Sequence, residues 1–206
     1  MRLCSQYTHP LLSRGDGEPL IHSHLFDGFK RLVGKGLMTE SIGSRPILGS
    51  IRLSSLRSEH ARELSTLLSS QRSEYIRFFN PFSFDLTTIE DILARRREDV
   101  FTGIYLQDQL VGFFMLRGWD KGYEVPTFGI LIDERHSELG LARLSLTMAK
   151  KISRLKGSPR IMLKVSPQNA AAKYLYEEEH FVQTGIDNKS GYLIYHFEPG
   201  EGSREV

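Results

Sequence analysis

The chain has 206 residues, 40% hydrophobic and 25% charged, with 27 Lys and Arg against 25 Asp and Glu and a formal net charge of +2. That length suits one domain with a short appendage, and so small and dispersed a charge gives no argument for nucleic acid. No apolar stretch approaches the roughly 20 residues of a membrane span, the N-terminus lacks the continuous apolar core of a signal peptide, and a single cysteine, Cys4, excludes an internal disulfide framework and suits a reducing cytoplasm.

Residues 1–46 read as an N-terminal extension. The spacing of Leu25, Phe26, Phe29, Leu32 and Val33 suits one short amphipathic helix over 22–33, ended by Gly34 and Gly36. A domain is expected over 47–198 and a frayed tail over 199–206. Residues 47–53 read as its first strand, and Ser58 suits the cap of a helix that turns Ala61, Leu64, Leu67 and Leu68 inward. An aromatic segment, 75–84, follows. Thr87 and Glu90 then form a capping-box pattern ahead of Ile89, Ile92 and Leu93. The basic run Arg95, Arg96, Arg97 stands beside Glu90, Asp91, Glu98 and Asp99 and reads as a solvated helix face.

Strands are expected at 101–106 and 110–117, joined by a tight hairpin at Gln107, Asp108 and Gln109. A turn over 119–122 leads to a strand ending at Ile132. After a charged turn, 133–138, Gly140 opens an amphipathic segment in which Leu141, Leu144, Met148, Ile152 and Leu155 recur every three or four residues. Gly157, Ser158 and Pro159 stop that helix, and 161–165 (IMLKV) is another short apolar strand. Strand, turn, helix and strand make a parallel crossover unit, whose turn N–H groups and helix dipole form a site for an anion such as a phosphate. A strand to about Ile186, a turn over 187–191 and a last strand over 192–197 complete a mixed α/β pattern.

Asn169, Ala172, Leu175, Tyr176 and Phe181 stand in the order N-x-x-A-x-x-L-Y, then x-x-x-x-F. Ser137-Glu138-Leu139-Gly140-Leu141-Ala142 follows the pattern Q/R-x-x-G-x-G/A at every position but the first. On these two motifs the chain resembles the GNAT superfamily of N-acetyltransferases, most specifically over 125–182 and more broadly over 51–198. The resemblance implies an α/β (α+β) fold. Its mixed, mostly antiparallel sheet has about six to seven strands and about four flanking helices, and a splayed parallel pair binds acyl-CoA. It also implies acetyl-CoA as cosubstrate. No metal is expected, because the seven histidines are scattered without ligand spacing.

In the same resemblance, the backbone of Ser137, Glu138, Leu139, Gly140, Leu141, Ala142 and Arg143 meets the pyrophosphate. A side chain at Gly140 would hold that group away. Arg135 or Arg143 supplies charge where Ser137 replaces the usual Gln or Arg. Ile130, Leu131 and Ile132 pair with the pantetheine amides as an added strand would. Asn169 lies by the arm, caps the next helix, or does both. Tyr176 stands by the sulfur as proton donor to the thiolate, or fills the core. Glu124 is the candidate base, weighed against a plain surface glutamate, with His136 and His180 ranked below it. Tyr75, Phe78, Phe79 and Asn80 form an acceptor wall, or their aromatics fill the core beneath a loop.

The activity expected is direct transfer of an acetyl group from acetyl-CoA to a primary amine of a small molecule, such as an amino sugar, a nucleotide-linked amino sugar or an amino acid. A protein N-terminal or lysine amine is one alternative, and a non-catalytic acyl-CoA-binding domain another. A cytoplasmic monomer or homodimer without nucleic-acid or membrane partners is the expected setting.

Overall fold

The computed structural model describes residues 51–198. The helix expected at 22–33, the start of the first strand at 47–50, Cys4 and the tail at 199–206 lie outside the described residues. Seven strands form one sheet: β1 (Ile51–Ser55), β2 (Val100–Leu106), β3 (Gln109–Arg117), β4 (Thr127–Ile132), β5 (Ile161–Val165), β6 (Val182–Ile186) and β7 (Leu193–Phe197). Their order is β1-β2-β3-β4-β5-β7-β6, and every neighbouring pair is antiparallel except β4 with β5. The β2–β3 turn is two residues, Gln107 and Asp108, at φ of 49° and 65°. Positive φ at both positions matches the twist of the strands it joins.

Two layers of helix cover the sheet. On one face α1 (Ala61–Ser69), the single turn α2 (Ser73–Ile76) and α3 (Leu86–Arg95) pack over Phe101, Tyr105, Phe113, Met115 and Leu131. On the other, α4 (Leu141–Leu155) and α5 (Ala170–Glu178) pack over Phe114, Leu116, Phe128, Ile161, Leu163 and Tyr195. Phe113 and Phe114 enter opposite cores because successive strand side chains alternate. Among the described residues no helix is long and apolar enough to cross a membrane.

Helix ends differ from the expected caps. Ser58 opens a 3-10 turn, 58–60, and does not cap α1, whose cap position falls to His60. Asp85, two residues before Thr87, caps α3 by accepting the Thr88 N–H at 2.8 Å. The buried face of α4 is also rotated. Leu155 is 87% exposed, and the stripe facing the sheet is Leu141, Ser145, Leu146, Ala149 and Ser153. Small residues there let the helix lie close on the strands. Their hydroxyls are satisfied locally, Ser145 Oγ donating to the Leu141 carbonyl at 2.7 Å and Ser153 Oγ to that of Ser158 at 2.5 Å.

Close approach also governs β3. Gly112 stands opposite Ile132, and a Cβ there would lie 2.9 Å from the Leu131 carbonyl oxygen and 3.2 Å from Ile132 Cα. Those are backbone atoms of a central strand and cannot retreat. Gly112→Ala is therefore expected to destabilise the fold by about 1–3 kcal/mol, read as a lower urea midpoint. Gly185→Ala, whose nearest neighbour is Ile194 Cδ1 at 4.0 Å, should shift it by no more than about 0.5 kcal/mol.

Candidate functional site

β4 and β5 share a single bridging pair, Thr127 with Met162, beside a hydrogen bond from the Met162 N–H to the Pro126 carbonyl at 2.9 Å. Beyond it β4 stays with β3, the pairing running on until the Asp133 N–H meets the Val111 carbonyl at 2.7 Å. The two parallel strands therefore part. Between them opens a cleft of about 510 Å³ lined by β4 from Phe128 to Ile132 and by Lys164, Val165 and Ser166.

Three segments supply the rest of the lining. At the head of α4, Gly140 is the cap residue in a left-handed conformation (φ +72°), without a side-chain cap. The first N–H of this region to find a helical acceptor is that of Leu144, on the Gly140 carbonyl at 3.1 Å. The amides of Gly140, Leu141, Ala142 and Arg143 thus stay available, as first-turn amides do, and carry the positive end of the helix dipole. Ser137 and Ala142 line the cleft and Leu141 is buried as an anchor, whereas Glu138, Leu139 and Arg143 are exposed and outside the lining. Neither nearby arginine is uncommitted. Arg135 pairs with Asp133 at 2.6 Å and Arg143 with Glu179 at 2.6 Å. The Arg135 hydrogen bond holds the Asp133 carboxyl below its ordinary range. His136 Nδ1 lies 3.9 Å from Asp133, buried and without a hydrogen-bond partner.

α5 carries the second motif. Asn169 caps it, Oδ1 accepting the Ala172 N–H at 3.2 Å. Seven residues on, nearly two turns, Tyr176 falls on the same face, and both line the cleft. The far end of α5 is held by Tyr195, whose hydroxyl donates to Glu177 at 2.7 Å. The Tyr176 ring packs 6.0 Å from that of Phe181, and burial pushes its pKa up to about 12. His180 takes a positive φ of 64° in the turn that follows.

Opposite lies the α1–α2 segment. Tyr75, Phe78 and Phe79 line the cleft, while Asn80 is exposed and outside it. The Tyr75 hydroxyl donates to the Ile132 carbonyl at 2.9 Å, Gln71 accepts the Glu134 N–H at 3.0 Å, and Arg72 grips Glu134 with two nitrogens, Nε at 2.7 Å. Glu124 is not brought into this group. Pro126 has no N–H to give the ladder, so β4 begins only at Thr127. Glu124 is exposed in a separate groove with Trp119, Lys156 and Arg160, on the order of 20 Å from the open end of the strand.

Glu74, Lys164 and Ser166 also line the cleft, unforeseen from the sequence. Lys164 did leave a trace, as the one charged position in IMLKV; Glu74 looked like any surface carboxylate. Among the described residues no group of three His, Cys, Asp or Glu is placed to hold a metal.

The chain matches the model of the Acetyltransferase (GNAT) family over residues 64–181. No curated protein matches it. Among solved structures it resembles the PaiA N-acetyltransferase of Thermoplasma acidophilum in complex with coenzyme A, at 16% identity and a TM-score of 0.62 over 73% of this chain and 99% of that one. It is similar to Mycobacterium smegmatis RimJ in complex with a CoA-disulfide, at 15% identity and a TM-score of 0.61 over 75% and 85% of the two chains. A Salmonella typhimurium acetyl transferase, described as modifying the N-terminal serine of ribosomal protein L7/L12, aligns at 15% identity and a TM-score of 0.60 over 75% and 98%.

The Tyr75 bond is a sensitive point of this geometry. Tyr75→Phe leaves the Ile132 carbonyl without its phenol, and a loss of about 1 kcal/mol is expected in urea unfolding. Amide exchange over 71–79 should quicken at the same time, since that bond fastens the segment to β4.

Proposed function

The chain belongs to the GNAT acetyltransferase family, and on that premise we propose that it moves an acetyl group from acetyl-CoA directly to a primary amine of a small molecule. The parting of β4 from β5 carries this reading. It leaves the β5-facing backbone of Ile130 and Ile132, on either side of a Leu131 that pairs with β3, along an open cleft, where the two amides of a pantetheine arm pair as a short added strand would. The amides of Gly140 to Arg143 then take the diphosphate at the helix N-terminus. Asn169, its Oδ1 engaged in the cap, keeps Nδ2 for a carbonyl of the arm.

The chemistry needs little more. The amine nitrogen attacks the thioester carbonyl carbon, the C–S bond breaks with its electron pair on sulfur, the thiolate takes a proton from the Tyr176 hydroxyl, and the proton shed by the acylated nitrogen restores the phenol. A phenol whose pKa has been pushed up to about 12 stays protonated at working pH and is available as that donor. An amino sugar, a nucleotide-linked amino sugar and an amino acid are the acceptor classes with which to begin. A protein N-terminal amine is the second reading, favoured by the likeness to the Salmonella typhimurium enzyme.

The deciding experiment incubates the protein with acetyl-CoA and a panel of these small amines, simple alkylamines and N-terminal peptides while thiol release is followed. Release with one class of small amine is the expected result. Release with peptides alone selects the second reading, and acyl-CoA binding without release selects a binding domain.

Two substitutions report on the parts. Gly140→Val should weaken coenzyme A binding in calorimetry by roughly tenfold or more, since each lost charge-assisted amide contact is worth about that factor. Tyr176→Phe should lower kcat by roughly 10²-fold, in the range of a lost general acid, while coenzyme A affinity stays within about twofold.

A further inference from the structure

Resting on the acetyl-transfer reading, we propose that Glu74 receives the acceptor as an ammonium and takes its proton, and that the acceptor is a primary amine on an apolar carrier with no anionic group beside the nitrogen. The cleft has two sides. Ala172, Leu175 and Tyr176 belong to the core beneath α4 and α5, whereas Phe79 packs into the core beneath α1 and α3. A thioester laid along α4 and α5 therefore meets an acceptor arriving from the side of Glu74, Tyr75, Phe78 and Phe79.

Glu74 is the one carboxylate among the residues that line the cleft. Several carboxylates on the elements that border the cleft are already committed: Asp133 to Arg135, Glu134 to Arg72, Glu177 to Tyr195, Glu179 to Arg143 and Lys150, and Asp187 to Lys164. Glu74 makes no hydrogen bond or ion pair of its own among the described residues. Arg72, close enough to feel its charge, has its guanidinium held by Glu134.

Among the cations nearby, the Arg77 guanidinium lies over the Phe78 ring, 4.5 Å from its centroid, and is not in the lining. Lys164, the one cation in the lining, lies 3.3 Å from Asp187. One negative charge is thus left unbalanced at the acceptor end. An ammonium completes it, while a carboxylate or phosphate next to the amine would face Glu74 with no unpaired cation in the lining to receive it. Phe78, half-buried and outside both core clusters, has the Arg77 guanidinium over its ring and lines the cleft beside Glu74, where it gives an apolar carrier a surface to pack on. Proton transfer from the ammonium to the Glu74 carboxylate frees the nitrogen lone pair. That pair forms the C–N bond as the C–S bond breaks, and Glu74 later gives its proton to solvent.

The test uses the full chain with acetyl-CoA and two matched amines, phenethylamine and phenylalanine, which differ by one carboxylate. Wild type should turn over phenethylamine with a kcat/KM at least about tenfold above that for phenylalanine. Glu74→Gln should lose roughly ten- to hundredfold of the phenethylamine value. Its coenzyme A affinity and melting temperature should remain those of wild type, because the side chain is exposed. Unchanged turnover in Glu74→Gln overturns its role. A wild-type preference for phenylalanine, or coenzyme A binding with turnover of neither amine, overturns the acceptor class and leaves the acetyl-CoA site standing. Failure of wild type to bind coenzyme A removes the underlying reading as well.

Discussion

A strand in the middle of a sheet has two edges of backbone to satisfy, and β4 satisfies only one along its length. Its β3 edge pairs from Thr127 to Ile132, while its β5 edge pairs at Thr127 alone. Polar backbone left open at the centre of a domain is costly unless water or a ligand completes it. The rest of the structure keeps that gap open without letting the sheet fall into halves. One core cluster does the bridging: Phe114, Phe128, Leu163 and Tyr195, from strands on both sides of the gap, pack in it with Leu141 and Leu146 of α4 and Tyr176 of α5. Asn169 at one end of α5 and the Glu177–Tyr195 bond at the other fix the helix that faces the opening.

The charges around the gap are arranged by cancellation. Asp133, Glu134, Glu179 and Asp187 are each answered by Arg or Lys, and the exposed members of these pairs add little to stability. Their effect lies in what they leave over. With these pairs matched off, the unpaired amides at the head of α4 and the Glu74 carboxylate are left among the polar groups at the cleft. A small number of uncompensated groups then decides what the cleft accepts.

Much of this was legible in the chain because it is local. The IMLKV run, the Gln107–Asp108 turn, Gly140 before an amphipathic stretch, and the Asn169 to Tyr176 interval each encode their structure within a few residues. The misreadings share a physical cause, since they depend on what a segment meets. Ser145 and Ser153, which a hydrophobic stripe leaves out, lie buried where α4 comes close to the sheet, their hydroxyls bonded to nearby carbonyls. Leu144 and Leu155 had the better hydrophobic spacing and lost to packing distance. Glu124 lies ahead of β4, whose start Pro126 delays to Thr127. Asn80 sits in the right segment but points away from the cleft lining. Glu74 gave no local signal, because only the placement of α2 against β4 brings it to the opening.

The fastenings of the α1–α2 segment converge on one short piece of chain. Gln71, Arg72 and Tyr75 all bind Ile132 or Glu134, the residues at which β4 passes into the turn before α4. The cleft wall that carries Tyr75 and the turn before α4 are therefore fastened to each other. A ligand that stiffens the turn also orders the wall, so a second ligand loses less conformational freedom on arriving there. Linkage makes the relation reciprocal: whatever factor the cosubstrate contributes to acceptor affinity, the acceptor returns to the cosubstrate. Gln71, Arg72 and Tyr75 are thus the route by which one ligand of the cleft would be felt by another.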